Sequence, residues 1–263
     1  MSSSTSADLW VYDRGRGPAI LFVHGFPLDH SMWAGQGSAF DREYRVLTPD
    51  LRGFGFSGPA EGTVSMAEFA DDLAALLDRL QLSEPIVLCG LSMGGYIALQ
   101  FWKRHRNRLR ALVLCDTRAA ADSPEAAENR HKMAEQVMTD GSHVAADAML
   151  PKLFPPQVLA EKPNFFEATK QVILGTSPTA IAAAQRGMAV RPEMRAELGE
   201  IDVPTLVVCG ELDAISPPTE MREIAAAIPG SRMEIIAGAG HLSPLEKPDA
   251  FNAVLSHWLS GLQ

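Results

Sequence analysis

A serine lies among glycines at Gly90-Leu91-Ser92-Met93-Gly94, with Gly95 directly after. The residues before it, 86–89 (Ile-Val-Leu-Cys), read as a buried strand, and residues 94–104 read as a helix. A Gly-x-Ser-x-Gly stretch at a strand-to-helix turn lifts the hydroxyl clear of the sheet, because only small side chains fit beside so sharp a turn. The first amides of the helix lack intrahelical partners and carry the positive end of its dipole. The Met93 N–H therefore faces negative charge that develops on an oxygen beside Ser92. The chemistry these residues point to is nucleophilic attack by Ser92.

A hydroxyl is a poor nucleophile unless a base takes its proton, and the base needs an orienting acid. Of the seven histidines, His241 in AGAGHLSPLEKP directly follows the last strand-like run, 233–236. That loop should reach the sheet edge where Ser92 projects. His105 and His257 fall in helical patterns, and His131 and His143 read as solvent-facing. Asp213 in CGELDAISPP follows another strand-like run, 205–209, and is the expected acid; Glu211 reads as solvent-facing. Asp116, just after 109–115, is also a strand-end carboxylate and stays open as the alternative. A second donor for an oxyanion can come from His24-Gly25-Phe26-Pro27. Gly25 permits an unusual turn and Pro27 has no N–H, so the donor would be the amide of Phe26. His24 is expected to brace that loop.

These positions need a scaffold of strand ends. Strand-like runs occur at 9–13, 19–24, 44–48, 86–89, 109–115, 205–209 and 233–236. Between them come helical patterns. One starts at Ser65, with Glu68 at capping-box spacing; others cover 94–104, 219–228 and 248–259. Short buried strands alternating with helices give an α/β fold, a mostly parallel central sheet flanked by helices. Residues 117–200 break the alternation and read as four short helices, a helical cap inserted between strands. The expected division is a core of 8–116 with 201–263, and a cap of 117–200.

Composition narrows the partners. The 263 residues carry a formal net charge of −9, which repels a phosphate backbone and argues against nucleic acid. The basic cluster at 103–110 ends a helix pattern, where cations suit the dipole. No apolar run is long enough to span a membrane, and MSSSTSADLW lacks the basic and apolar regions of a secretory leader. Cys89, Cys115 and Cys209 each end a strand-like run and read as buried free thiols, which fits a cytoplasmic location. No ligand-spaced cluster suggests a metal, and no motif suggests an organic cofactor.

Five stretches, HGFPLDHSMW, DLRGFGFSG, GLSMGG, GELDAISPP and GAGHLSPLEKP, together resemble the α/β-hydrolase superfamily. Within it the chain is similar to the group of 3-oxoadipate enol-lactonases, cofactor-free haloperoxidase-like esterases and small arylesterases. The resemblance implies a Ser92–Asp213–His241 triad and an oxyanion hole from the Phe26 and Met93 amides. It also implies cofactor-free hydrolysis of a small carboxylic ester or lactone through an acyl-enzyme. Serine rather than aspartate at residue 92 disfavours dehalogenase and epoxide hydrolase chemistry. Enol-lactone hydrolysis, carbon–carbon bond hydrolysis and perhydrolysis use the same triad and stay open. A ligand receptor without turnover is the reading from another class.

The substrate pocket is expected between sheet edge and cap, with apolar walls drawn from Phe26, Trp33, Met93, Phe154, Phe165, Phe166 and Leu242; for Trp33 and Phe26 a plain core role competes with a place on the wall. Arg118 and Arg186 are the cations that a substrate carboxylate would need there, although Arg118 has a competing role as a salt-bridge partner of Asp122 or Glu125. Members of this family begin with a hairpin of two strands; only residues 7–14 are available here, so one edge strand is expected to be missing.

Overall fold

Short runs of consecutive apolar residues dictate the centre of the molecule. The computed structural model describes residues 7–161 and 163–262. In it β1 (Val11–Gly15), β2 (Ala19–Val23), β3 (Arg45–Pro49), β4 (Ile86–Leu91), β5 (Leu109–Cys115), β6 (Thr205–Gly210) and β7 (Arg232–Ile236) form one sheet, ordered β1-β3-β2-β4-β5-β6-β7. All pairs are parallel except β1 with β3. β2, β4 and β6 are buried at every residue, as strands covered on both faces must be, while the edge strands β1 and β7 are largely open.

The sheet is flanked by α1 (Ala34–Phe40), α2 (Met66–Arg79), α3 (Met93–His105), α9 (Pro218–Ala227) and α11 (Pro248–Ser260), and the short α10 (Ser243–Glu246) precedes the last of these. Between β5 and β6 lie α4 (Pro124–Asp140), α5 (His143–Leu153), α6 (Pro156–Glu161), α7 (Pro163–Gly175) and α8 (Pro178–Ala189). Ser65 closes the capping box of α2: its hydroxyl accepts from the Glu68 N–H at 3.2 Å, and the Glu68 carboxylate accepts from the Ser65 N–H at 2.8 Å.

One expectation is corrected. The first strand lies at 11–15 rather than 9–13, because its register is set by pairing with β3, Val11 to Pro49 through Gly15 to Arg45. The Arg45 guanidinium reinforces that register, bonding both oxygens of Asp13 at 3.0 and 2.6 Å. β1 is the edge of the sheet, with no strand outside it among the described residues. Among the described residues of the inserted segment, Pro156 opens α6 and Pro163 opens α7, the first-turn position that proline favours. α1 was not legible, because Gly35 and Gly37 weaken its helical pattern.

The alanine-rich α8 explains how this insert docks. Its residues Ala180 to Ala184 are all buried, and the Ala183 carbonyl accepts from the Val64 N–H at 3.2 Å. A Cβ at Gly187 would lie 1.7 Å from the Val64 carbonyl oxygen, so only glycine allows this approach. Replacing Gly187 with alanine must push helix and backbone apart. We expect Gly187→Ala to lose about 1–3 kcal/mol of unfolding free energy in urea titration, the cost typical of overpacking.

Candidate active site

The turn from β4 into α3 holds Ser92 at φ 54°, ψ −114°, a conformation non-glycine residues avoid. Such backbone costs on the order of 1–3 kcal/mol and persists only where its surroundings over-determine it. Here they do. The Ser92 N–H donates to the Cys115 carbonyl at 2.9 Å, and the Ser92 carbonyl accepts from the Thr117 hydroxyl at 2.7 Å and the Gly95 N–H at 2.9 Å. The glycines are there for space. A Cβ at Gly90 would meet the Gly94 oxygen at 2.2 Å, one at Gly94 the Val23 oxygen at 2.3 Å, and one at Gly95 the Thr117 hydroxyl at 2.3 Å.

The loops after β6 and β7 bring Asp213 and His241 to this turn. His241 Nδ1 donates to Asp213 Oδ2 at 2.9 Å, and His241 Nε2 lies 2.9 Å from Ser92 Oγ. With Nδ1 protonated against a carboxylate, Nε2 is left as the acceptor of the serine proton. Asp213 is itself held by the Ile215 and Ser216 amides, which donate to Oδ1 at 2.7 and 3.0 Å. The side chains of His241 and Asp213 are buried at 1% and 0% exposure, whereas Ser92 keeps partial access. A relay so arranged can draw a proton from the hydroxyl as it attacks an electrophile, and return it to a leaving group.

Asp116, the alternative acid, does not touch His241. Its Oδ1 accepts from the Gly210 N–H at 2.7 Å and its Oδ2 from the Ser243 hydroxyl at 2.5 Å, which ties the start of one loop to the other. Burial pushes its carboxyl well above the usual carboxylate range, and the nearby charge of Asp213 adds to the shift. Donor atoms of Asp116, Cys209 and Asp213 come within 4.8 Å of one another, a spacing a metal could use. Both carboxylates, however, are already engaged by the N–H and O–H groups just named.

The loop after β2 passes directly over the nucleophile. A Cβ at Gly25 would lie 2.8 Å from the Leu91 side chain and 3.4 Å from Ser92 Cβ. His24 braces this loop: Nδ1 donates to the Gly25 carbonyl at 3.0 Å and Nε2 accepts from the Leu51 N–H at 3.0 Å. Burial lowers its pKa, in keeping with a neutral ring that donates once and accepts once. Phe26 and Met93, named for their amides, thus belong to the two segments that meet at Ser92.

Beside these segments opens a cavity of about 350 Å³ between Leu28, Ser31 and Met32, Phe165 and Val172 of α7, and Leu245. Phe165, an expected wall residue, lines it. Phe154 and Leu242 are buried and Phe166 is half-buried, none of them on this cavity. Trp33 takes its competing core role: it packs against Phe22 and Phe251, ring centroids 5.0 and 6.2 Å away, because the turn that carries it faces the sheet. Arg118 lies 3.1 Å from Glu220, not beside Asp122 or Glu125; Asp122 is taken by Arg130 and by Arg191 at 2.6 Å. Arg186 donates to the Gly62 carbonyl at 2.9 Å. Neither Arg118 nor Arg186 lines the cavity.

The basic cluster is spent on framework pairs, Lys103 with Glu197, Arg104 and His105 with Asp71, Arg106 with Asp202, and Arg108 with Asp78. All three cysteines are buried and free. No helix among the described residues is long and apolar enough to cross a membrane. Sequence reasoning missed Thr117, Ser243 and Glu246 around the relay. Glu246 had one visible signal, a lone acid in the apolar stretch LSPLE just past His241.

A profile of the alpha/beta hydrolase fold family matches residues 18–248. A thermophilic esterase from Thermogutta terrifontis, solved with malate bound, superposes with a TM-score of 0.97 at 44% identity, covering 99% of this chain and 96% of that one. The enol-lactonase of Burkholderia xenovorans LB400 gives a TM-score of 0.91 at 31% identity, covering 98% and 99%. A 3-oxoadipate enol-lactonase of Acinetobacter baylyi is 29% identical over 94% of this chain and 90% of its own. The chain belongs to the α/β-hydrolase fold family.

Proposed function

We propose that the protein is a serine hydrolase that cleaves small, uncharged carboxylic esters through an acyl-enzyme. The observation that carries this reading is the unbroken relay from Ser92 Oγ to His241 to Asp213, with both links at 2.9 Å. Ser92 Oγ attacks the ester carbonyl while His241 Nε2 takes its proton. The amides of Phe26 and Met93 receive the oxyanion, in a buried setting where such donors are worth several kcal/mol. His241 then protonates the departing alcohol, the carbon–oxygen bond to it breaks, and the acyl group stays on Ser92. Water attacks that acyl group as His241 removes its proton; the serine regains its hydroxyl and the acid leaves. Asp213 keeps Nδ1 protonated and stabilises the charged ring in both halves.

The preference for uncharged substrates rests on the neighbouring cavity, whose lining among the described residues carries no charged side chain. An enol-lactone with a free carboxylate would want a cation there, and both candidate arginines are engaged elsewhere. Lactone hydrolysis is the second reading, favoured by the likeness to enol-lactonases.

Rates on p-nitrophenyl, aryl and alkyl esters, simple lactones and an enol-lactone bearing a carboxylate should separate the two. Neutral esters should be turned over fastest, and the acidic lactone slowly; the reverse order would make this a lactonase. Ser92→Ala should lose at least ~10⁴-fold in kcat with its fold intact. It should also resist labelling by a serine-directed phosphonate that modifies the wild type. An unlabelled wild type would instead point to a receptor without turnover.

The two buried acids should part under mutation. Asp213→Asn should cost about 10⁴-fold in kcat. Asp116→Asn, which keeps an acceptor for Gly210 and a polar partner for Ser243, should stay close to wild type. Stability gives a second readout. In the unfolded chain Asp116 ionises near pH ~4, while in the fold its carboxyl is held neutral to higher pH. The native state thus binds more protons above pH ~4, and its stability falls as pH rises. Urea titrations should show wild type losing ground to Asp116→Asn on going from pH 4 upward, until Asp116 itself ionises.

A further inference from the structure

The histidine of the relay sits on a segment with little intrinsic rigidity. Gly238, with φ 64°, and Gly240 precede it, and no strand or long helix contains it. Yet the amides on either side of His241 converge on one side chain. The Gly240 N–H donates to Glu246 Oε2 at 2.9 Å, and the Leu242 N–H donates to Glu246 Oε1 at 2.9 Å. The carboxylate that receives them is 1% exposed. A Cβ on residue 240 would come 2.3 Å from Pro155 and 3.2 Å from Glu246 Oε1, so glycine at this position lets the clamp close. α10 supplies the acid from one turn beyond the histidine, and the Pro244 carbonyl accepts from Gln36 at 3.1 Å, anchoring that turn to α1.

We propose that Glu246 is the positioning residue of His241. Its two oxygens fix the backbone before and after the ring, which sets the distance of Nε2 from Ser92 and of Nδ1 from Asp213. Its buried charge also favours the imidazolium that forms when the ring takes the serine proton. This inference rests on the hydrolytic reading above.

A purely structural acid would be a poor choice here. Burial works against ionisation of Glu246 and raises its pKa; the two amides and the positive form of His241 pull the other way. An ionised carboxylate accepts both amides, and an attraction between its charge and the imidazolium acts on both partners alike. Asp213 and Asp116 also face this loop, and both stay in place in the variants that follow.

The test uses Glu246→Gln and Glu246→Asp beside the wild type and Ser92→Ala, on one neutral p-nitrophenyl ester. Temperatures stay well below each variant's thermal midpoint, with the fold checked by circular dichroism. In Glu246→Gln an amide NH₂ opposes a backbone N–H and the charge is gone. Its kcat should fall by about tenfold or more, as for a small misplacement of a reacting group, with KM unchanged. The acid limb of its kcat/KM profile should move to lower pH, because a ring without the neighbouring charge holds its proton less tightly. Glu246→Asp keeps the charge and shortens the reach; it should lose kcat with the acid limb unmoved. A folded Glu246→Gln with the kcat and pH profile of the wild type overturns the proposal, as does one whose only change is a lower thermal midpoint. If Glu246→Gln does not fold, Glu246→Asp decides: lost kcat at unchanged KM supports the clamp, and wild-type kcat overturns it. Ser92→Ala separates the two levels. Retained turnover there sinks the hydrolytic reading itself, whereas an inactive Ser92→Ala beside a wild-type-like Glu246→Gln sinks the clamp alone.

Discussion

One serine held in backbone that serine avoids sets the terms for the rest of this molecule. At φ 54° Ser92 stands out from the turn between β4 and α3, and the turn survives because neighbours close on it from three sides. Cys115 and Thr117, at the end of β5, take its amide and its carbonyl; Gly25, at the end of β2, passes above it. Glycines at 90, 94 and 95 are the condition of this crowding, since a methyl group at each would sit within 2.3 Å of a backbone or hydroxyl oxygen. The strain is held by β-sheet neighbours rather than by the turn itself. It is therefore no accident that the strand order places β2 and β5 on either side of β4.

The second constraint is electrostatic. Three acids, Asp116, Asp213 and Glu246, are buried around one histidine, and three bare charges there would be untenable. Each is handled differently. Asp213 receives two amides on one oxygen and the imidazole on the other. Asp116 is pushed toward its neutral form and spends its oxygens on Gly210 and Ser243. Glu246 spends both of its oxygens on the amides flanking His241. Each of the two supporting acids thus fastens one of the loops that follow β6 and β7, and Asp116 fastens them to each other.

How far the sequence disclosed this depends on what each residue bonds to. Ser92, Asp213 and His241 were legible because each follows an apolar strand-like run, and strand ends in a parallel sheet share one edge. The sheet itself was legible for the same reason. Glu246 was not, because its partners are backbone amides, which leave no mark in residue identity. Arg118 misled in the opposite way: nearby acids 122 and 125 looked like its partners, while Glu220 lies far along the chain and arrives only when α9 packs beside β6. Trp33 stayed open between core and pocket because a loop conveys no facing; the turn at His30–Trp33 aims it at the core. α1 hid behind its glycines.

The distribution of cations bears on what the protein can take. The chain has 23 lysines and arginines against 32 acids, so basic groups are the scarcer kind. Several in and beside the insert are committed: Arg130 and Arg191 to Asp122, Arg191 also over the Tyr96 ring at 4.4 Å, and Arg118 to Glu220. Burial works to raise Asp122, yet the bonds from Arg130 and Arg191 hold it below the usual carboxylate range, the sign of an attachment that lasts across neutral pH. Arg191 leaves α8 and Asp122 enters α4, so this pair fastens the two ends of the insert where it departs from and rejoins the sheet. Freeing any of these cations to hold a substrate carboxylate would loosen that seam. For Arg118, Arg130 and Arg191 the framework and an anionic substrate would compete for the same charges, and in this structure the framework holds them.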